Sequence, residues 1–425
     1  MKTLLRLLPI LLVLQGKAQH LPDEVYVPNI KSVKLFQQNN QESLPLLRLN
    51  SGDQLELHFD DLDNYVKNYY YTFQLCNADW QPADISSFDY IRGFTQMRLT
   101  EYRASSLSLT RYIHYQAMLP ENNCVPTKSG NYLLRVYLDG DTAQTVFTKR
   151  MYVVENRVAT IAQIQQPFDN QLFHTHQKIQ LSINQGQLNM YNPQQQMKIV
   201  VLQNNRWDNA VTNIVPSFIR GNVLEYNGEE DITFPGGREY RWADLRSFRF
   251  QSDRVAGVDI NVLPYEVILK PDPVRRAQPY ITMRDLNGWY EISASESINP
   301  WWQSDYANVH FSFAPDNHQP FADKDVYLVG ELTGNNTTPA ARMEYNAAKG
   351  IYEKTLLLKQ GYYAYAYMAK DRTTGAKADP TLTEGSFWET ENDYVVLVYY
   401  RSINDRSDEL VAVSQLNTRA GRPLQ

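Results

Sequence analysis

Residues 385–400 read Gly385-Ser386-Phe387-Trp388-Glu389-Thr390-Glu391-Asn392-Asp393-Tyr394-Val395-Val396-Leu397-Val398-Tyr399-Tyr400. From Tyr394 onward, β-branched and aromatic side chains follow one another with no polar break, which favours a pleated strand covered on both faces. The segment just before it is acidic and rich in hydrogen-bonding side chains. Such a strand belongs at the centre of a β-sheet core.

Strand signals continue outward from this run, and no long segment carries an apolar period of helical type. Residues 55–59, 69–75, 112–119, 132–138 and 145–154 are short alternating or apolar runs, the last two joined by Asp139-Gly140, a hairpin turn signal. They define a first β-sandwich at 19–155, with residues 84–110 as an irregular insertion. Runs at 178–184, 197–203, 223–226, 247–250 and 265–269 define a second unit at 156–272. Pro271-Asp272-Pro273 reads as a stiff connection. A third unit, 273–425, opens with a predicted hairpin about Asn287-Gly288 and continues through runs at 309–313, 326–329, 352–358, 362–368 and 394–400. The fold class is therefore all-β, with three consecutive immunoglobulin-like or early-set β-sandwich domains.

Residues 1–18 read as an export signal: Lys2 and Arg6 precede an apolar core, and Gly16-Lys17-Ala18 offers a cleavage site. That core is too short to span a bilayer, and no later stretch is long enough. Removing Lys2, Arg6 and Lys17 from the 41 basic residues leaves 38 against 47 acidic ones, a mature net charge of about −9. This balance argues against nucleic acid as a partner. Tyrosine, at 29 residues, outnumbers phenylalanine at 16; rings that pack below and hydrogen-bond above suit a secreted protein with contact surfaces. In an oxidising compartment Cys76 and Cys124 either pair, closing a loop of about 48 residues worth on the order of 4 kcal/mol, or stand as two unpaired thiols.

Candidate chemistry is sparse. His174 and His176 would share one face of an extended segment, but no local third and fourth ligand completes a zinc site. Asp60, Asp61 and Asp63 cluster without the glycine and terminal glutamate of a calcium loop, so a polar turn is expected. Glu389, Glu391 and Asp393 alternate on one strand and cannot straddle a glycosidic bond. Trp301-Trp302 and Tyr362, Tyr363, Tyr365 and Tyr367 read either as a stacking platform for sugars or as a packed strand face. Asp141-Thr142-Ala143 resembles a short acceptor motif for O-glycosylation. No nucleophile motif is present, so the expectation is a non-enzyme with no catalytic, cofactor or metal residues and no small-molecule substrate.

Several longer motifs stand in one order: Leu75-Cys76-Asn77-Ala78-Asp79-Trp80, Ser129-Gly130-Asn131-Tyr132, Phe234-Pro235-Gly236-Gly237-Arg238-Glu239-Tyr240-Arg241-Trp242, Asp285-Leu286-Asn287-Gly288-Trp289-Tyr290, and the 385–400 segment. Together they resemble the plug protein family of the type IX secretion system of Bacteroidota, over nearly the whole mature chain. The resemblance implies a periplasmic protein that closes the periplasmic mouth of a giant outer-membrane β-barrel translocon when no substrate is loaded. A sandwich of about 140 residues is roughly 35–40 Å across, wide enough to cover a protein-sized pore. Val326-Tyr327-Leu328-Val329-Gly330-Glu331-Leu332 and Gly350-Ile351-Tyr352-Glu353 also resemble the early-set sandwich of glycogen-binding modules. Thr333, Gly334 and Asn335 stand where those modules usually carry a tryptophan. The alternative reading is accordingly a periplasmic carbohydrate-binding protein acting through aromatics of the C-terminal unit.

Overall fold

The computed structural model describes residues 21–419 except positions 187, 189 and 229–231; the expected export signal at 1–18 lies outside the described residues. The chain folds as β-sandwiches throughout. In the first, strands Ile30–Gln37, Leu55–Asp61, Ile113–Leu119 and Glu101–Ala104 form one sheet, and Leu46–Arg48, Thr145–Val154, Gly130–Leu138, Tyr69–Cys76 and Met97–Arg98 form the other. Alternation drives it: Leu55, Leu57 and Phe59 from one sheet meet Tyr71, Phe73, Tyr132, Leu134 and Phe147 from the other in a single buried core. Asp139 and Gly140 both adopt positive φ, as the turn between the two longest strands requires.

The second sandwich is assembled from distant parts of the chain. One of its sheets runs Ala159–Gln165, His176–Asn184, Val223–Tyr226 and Phe218–Arg220. The other places Asp393–Tyr400 between Met197–Gln203 and Glu409–Asn417, antiparallel to both. The third sandwich takes Arg241–Asp244, Gly361–Asp371, Tyr290–Ile292 and Lys324–Val329 in one sheet. Its other sheet runs Val255–Asp259, Tyr265–Leu269, Tyr306–Ala314, Ile351–Lys359 and Glu344–Asn346.

The expected division into 156–272 and 273–425 therefore needs correction. Residues 241–269 belong to the third sandwich, and residues 393–417 return to complete the second, so the third is inserted within the second rather than following it. A linear division assumes that sequential strands pair, which is the commoner arrangement. Here a strand covered on both faces found its partners in Met197–Gln203, almost two hundred residues earlier. The expected connection at Pro271-Asp272-Pro273 is likewise structural: Asp272–Pro273 pairs in parallel with Phe313–Ala314, and buried Asp272 accepts from Arg241 at 2.8 Å and from the Tyr365 and Tyr367 hydroxyls at 3.0 and 2.9 Å.

Two local expectations also shift. Residues 247–250 form a bend, with the strand lying instead at Arg241–Asp244. The Asn287-Gly288 turn forms with positive φ at both residues, but residues 280–285 make no ladder, because the Asp285 carboxylate turns back to accept from the Tyr240 and Asn287 backbone N–H groups.

Candidate functional site

The polar side chains that the fold gathers most tightly lie where the sandwiches meet. Glu56, His58 and Asp60 alternate with Leu55, Leu57 and Phe59, so they occupy the face of their sheet turned away from the first core. The third sandwich covers that face. Asp60 accepts from His114 Nδ1 at 2.7 Å, from the Tyr306 hydroxyl and from the Lys359 ammonium. Asp60, His114, Tyr306 and Lys359 are all buried. The Trp301 ring lies parallel to the His58 ring at 3.9 Å between centroids. Nearby, buried Lys34 donates to Glu331 at 2.9 Å and to the Tyr290 carbonyl.

Electrostatics make this a clamp. Burial lowers His58 below the ordinary histidine range and brings His114 down to about 4, although the Asp60 carboxylate pulls the other way. Burial would raise Asp60, but Lys359 and His114 outweigh it and hold the carboxyl below its usual range. Burial lowers Lys359 as well, against the pull of the Asp60 carboxylate beside it. Glu56, His58, His114 and Asp60 form a chain of contacts at 3.2, 3.1 and 2.7 Å, the arrangement of a proton relay. Among the described residues no hydroxyl or thiol bonds either imidazole, and Trp301 caps the stack.

The opposite face of the first sandwich meets the second. Along Asp393–Tyr400, Tyr394, Val396, Val398 and Tyr400 enter the second core. Val395, Leu397 and Tyr399 point the other way, onto Cys76, Ala78, Trp80, Leu133, Tyr152 and Val154 of the first sandwich. The Tyr399 hydroxyl donates to Asn131 at 2.8 Å, and Asp408 accepts from the Ala78 N–H at 2.9 Å. The second and third sandwiches meet at the 385–393 corner. There Asn392 donates to the Gly236 carbonyl and Gln177, Thr390 donates to the Gly237 carbonyl, and Asn287 donates to Asp393. Gly236 is required at this crossing, because a Cβ would stand 2.0 Å from the Phe387 carbonyl oxygen. Each sandwich is thus held by both others.

Comparison with known proteins fits this frame. Residues 30–155, the first sandwich, match the family model described as type 9 secretion system plug protein, first domain. The chain belongs to the type IX secretion system plug protein family. A crystal structure at 2.30 Å of a hypothetical protein from Parabacteroides merdae ATCC 43184 is similar over the whole architecture, with a TM-score of 0.90 and 31% identity. The match covers 94% of this chain and 100% of that one. No curated protein matches significantly. Membership in the plug family gives the protein a role in type IX secretion and an association with the secretion machinery.

The residues singled out in the sequence of this plug protein are dispersed. Asp61 and Asp63 form a polar turn with Asn29 and Lys67, whereas Asp60 sits apart from them in the clamp. His176 contacts Thr175 at 2.8 Å, and no group of three or more His, Cys, Asp or Glu side chains is placed to hold a metal among the described residues. Asn417 grips both Glu391 and Asp393 at 3.0 and 2.7 Å, while Glu389 faces solvent. Cys76 and Cys124 are both buried, free thiols, pushed up to about 12 by burial, so the disulfide alternative gives way to separate thiols. Thr142 is exposed in a turn. Tyr363, Tyr365 and Tyr367 are buried and Trp301 lies against His58, which leaves of the expected stacking residues only half-buried Trp302, under Arg103, and half-buried Tyr362, beside Trp242. His58, His114, Lys34 and Lys359 escaped the sequence reading. The one signal for them was a basic or imidazole side chain inside a strand run, which ordinarily marks a solvated face.

Proposed function

We propose that this protein is a non-enzymatic periplasmic plug that closes the periplasmic opening of the giant outer-membrane β-barrel translocon of the type IX secretion system when no substrate is loaded. The match of residues 30–155 to the plug family carries this reading. The mutual bracing of the sandwiches supports it, because a stopper must resist deformation and needs surface complementarity rather than reactive groups. Its partner on this reading is the barrel's periplasmic face, and its place is the periplasm, held at the outer membrane through that partner.

Affinity purification of the tagged protein from gently solubilised outer membranes tests the proposal. A very large barrel protein should co-purify in the substrate-free state, and deletion should raise outer-membrane permeability to large hydrophilic antibiotics. Recovery only as a free monomer, together with unchanged permeability on deletion, would overturn it.

A further inference from the structure

Asp141-Thr142-Ala143 forms the tip of the hairpin between Gly130–Leu138 and Thr145–Val154. An aspartate followed by serine or threonine occurs once in the chain, and it occurs here. The tip is held from within. The Asp141 carboxylate accepts from the Ala143 N–H at 2.9 Å and from the Gln144 side-chain amide at 3.0 Å, an Asx turn with Thr142 at its centre. The Thr142 carbonyl accepts from Arg135 at 3.2 Å and from the Thr145 hydroxyl at 3.1 Å. With the backbone fixed on both sides, the Thr142 hydroxyl makes no hydrogen bond among the described residues.

The place of this hydroxyl in the fold sets it apart from its neighbours. Residues 141–144 are all exposed. Thr145 and Thr148, next along the same hairpin, are buried and spend their hydroxyls on the Thr142 and Leu21 carbonyls. The two strands reach the second sandwich at their other ends, through Leu133, Tyr152 and Val154, and the clamp with the third sandwich lies on the other sheet. From Leu133 to Leu138 the strand runs roughly 17 Å. The tip therefore stands clear of both joints, where an incoming enzyme meets a preformed turn and displaces no packed element.

We propose that Thr142 is a site of O-glycosylation in the exported protein, with a membrane-anchored glycosyl diphosphate as donor. Thr142 Oγ1 forms a bond to the anomeric carbon of the sugar, and the bond from that carbon to the diphosphate oxygen breaks. The diphosphate leaves with the electron pair, and the hydroxyl proton passes to a base of the transferase. A bulky, solvated sugar fits at a tip that neither joint uses. Export, which brings the tip to the side of the membrane served by an anchored donor, rests on the proposed function. The choice of hydroxyl does not.

Intact-mass measurement and peptide mapping of the protein recovered from the organism that makes it test the proposal. The mature chain should be heavier than its sequence by a glycan on the peptide that contains Thr142. Thr142→Ala should lose the added mass, Thr142→Ser should keep it, and a form made without residues 1–18 should lack it. Thermal unfolding of Thr142→Ala should match that of wild type, so that a lost sugar is not a lost fold. Capture of the barrel partner is a separate measurement, so this inference and the plug reading fail independently. A mature mass equal to the sequence, a glycan mapped to another residue, or one that survives Thr142→Ala would overturn the inference. Equal modification of the form without residues 1–18 would overturn the membrane-anchored donor.

Discussion

Replacing Lys359 by methionine tests the clamp between the first and third sandwiches most directly. Methionine keeps an unbranched apolar stem of similar length and removes the ammonium that donates to Asp60 and to the Trp301 carbonyl. Asp60 would remain buried with His114 and Tyr306 as donors but without its ionic partner. Removing one partner of a buried pair typically costs about 3–5 kcal/mol, whereas an exposed pair is worth about 1 kcal/mol or less. Because Asp60, Lys359 and His114 are all buried, the larger figure applies. Urea unfolding of the mature protein, followed by tryptophan fluorescence with Trp301 inside the joint, should show the loss. Adding Asp60→Asn should restore roughly 1–3 kcal/mol, because the uncompensated charge is then gone. A loss of under about 1 kcal/mol in the single variant, with strictly additive effects in the double, would refute the claim that this pair holds the joint.

The same joint sets a pH dependence. His114 is lowered by burial from 6.5 to about 4, so the unfolded chain binds the extra proton first, and the stability that His114 contributes should be fully present above about pH 6.5 and fall by about 3 kcal/mol on approach to pH 4. His58 acts in the same direction; Asp60, held below the usual carboxylate range, adds its loss only at still lower pH. Asp285, raised by burial to about 7, works in the opposite sense over the same range, so the His114 contribution is read as the difference between wild type and His114→Gln; a difference that stays constant between pH 7 and pH 4 would contradict this. Leu397→Ala, at the contact between the first and second sandwiches, should cost about 2–5 kcal/mol in the same unfolding assay. A fragment of residues 156–272 should remain unfolded by circular dichroism and proton NMR, because its second sheet lacks Asp393–Tyr400 and Glu409–Asn417. Thiol titration should give two reactive thiols in the unfolded, unreduced protein and slow reaction in the native one; one or none after unfolding would restore the disulfide.

The all-β character and the first sandwich were legible because alternation, apolar runs and the Asp139-Gly140 turn are local signals. The clamp was not. Glu56, His58 and Asp60 present the pattern of a solvated face, and nothing near them in sequence announces that Trp301, Tyr306 and Lys359 will cover it. Pro271-Asp272-Pro273 misled for the same reason, since its carboxylate is matched by Arg241 only after folding.

Residues 394–400 draw the line most sharply. Their side-chain types alone required a strand buried on both faces, because seven consecutive β-branched, aliphatic and aromatic residues leave no side for water. Alternation then fixed which residues share a face, Tyr394, Val396 and Val398 on one and Val395, Leu397 and Tyr399 on the other. Which core each face enters, and that the neighbouring strand is Met197–Gln203, depended on tertiary structure. Strand pairing and face-to-face packing are selected by complementarity across the whole molecule, and a period of two carries no address for its partner.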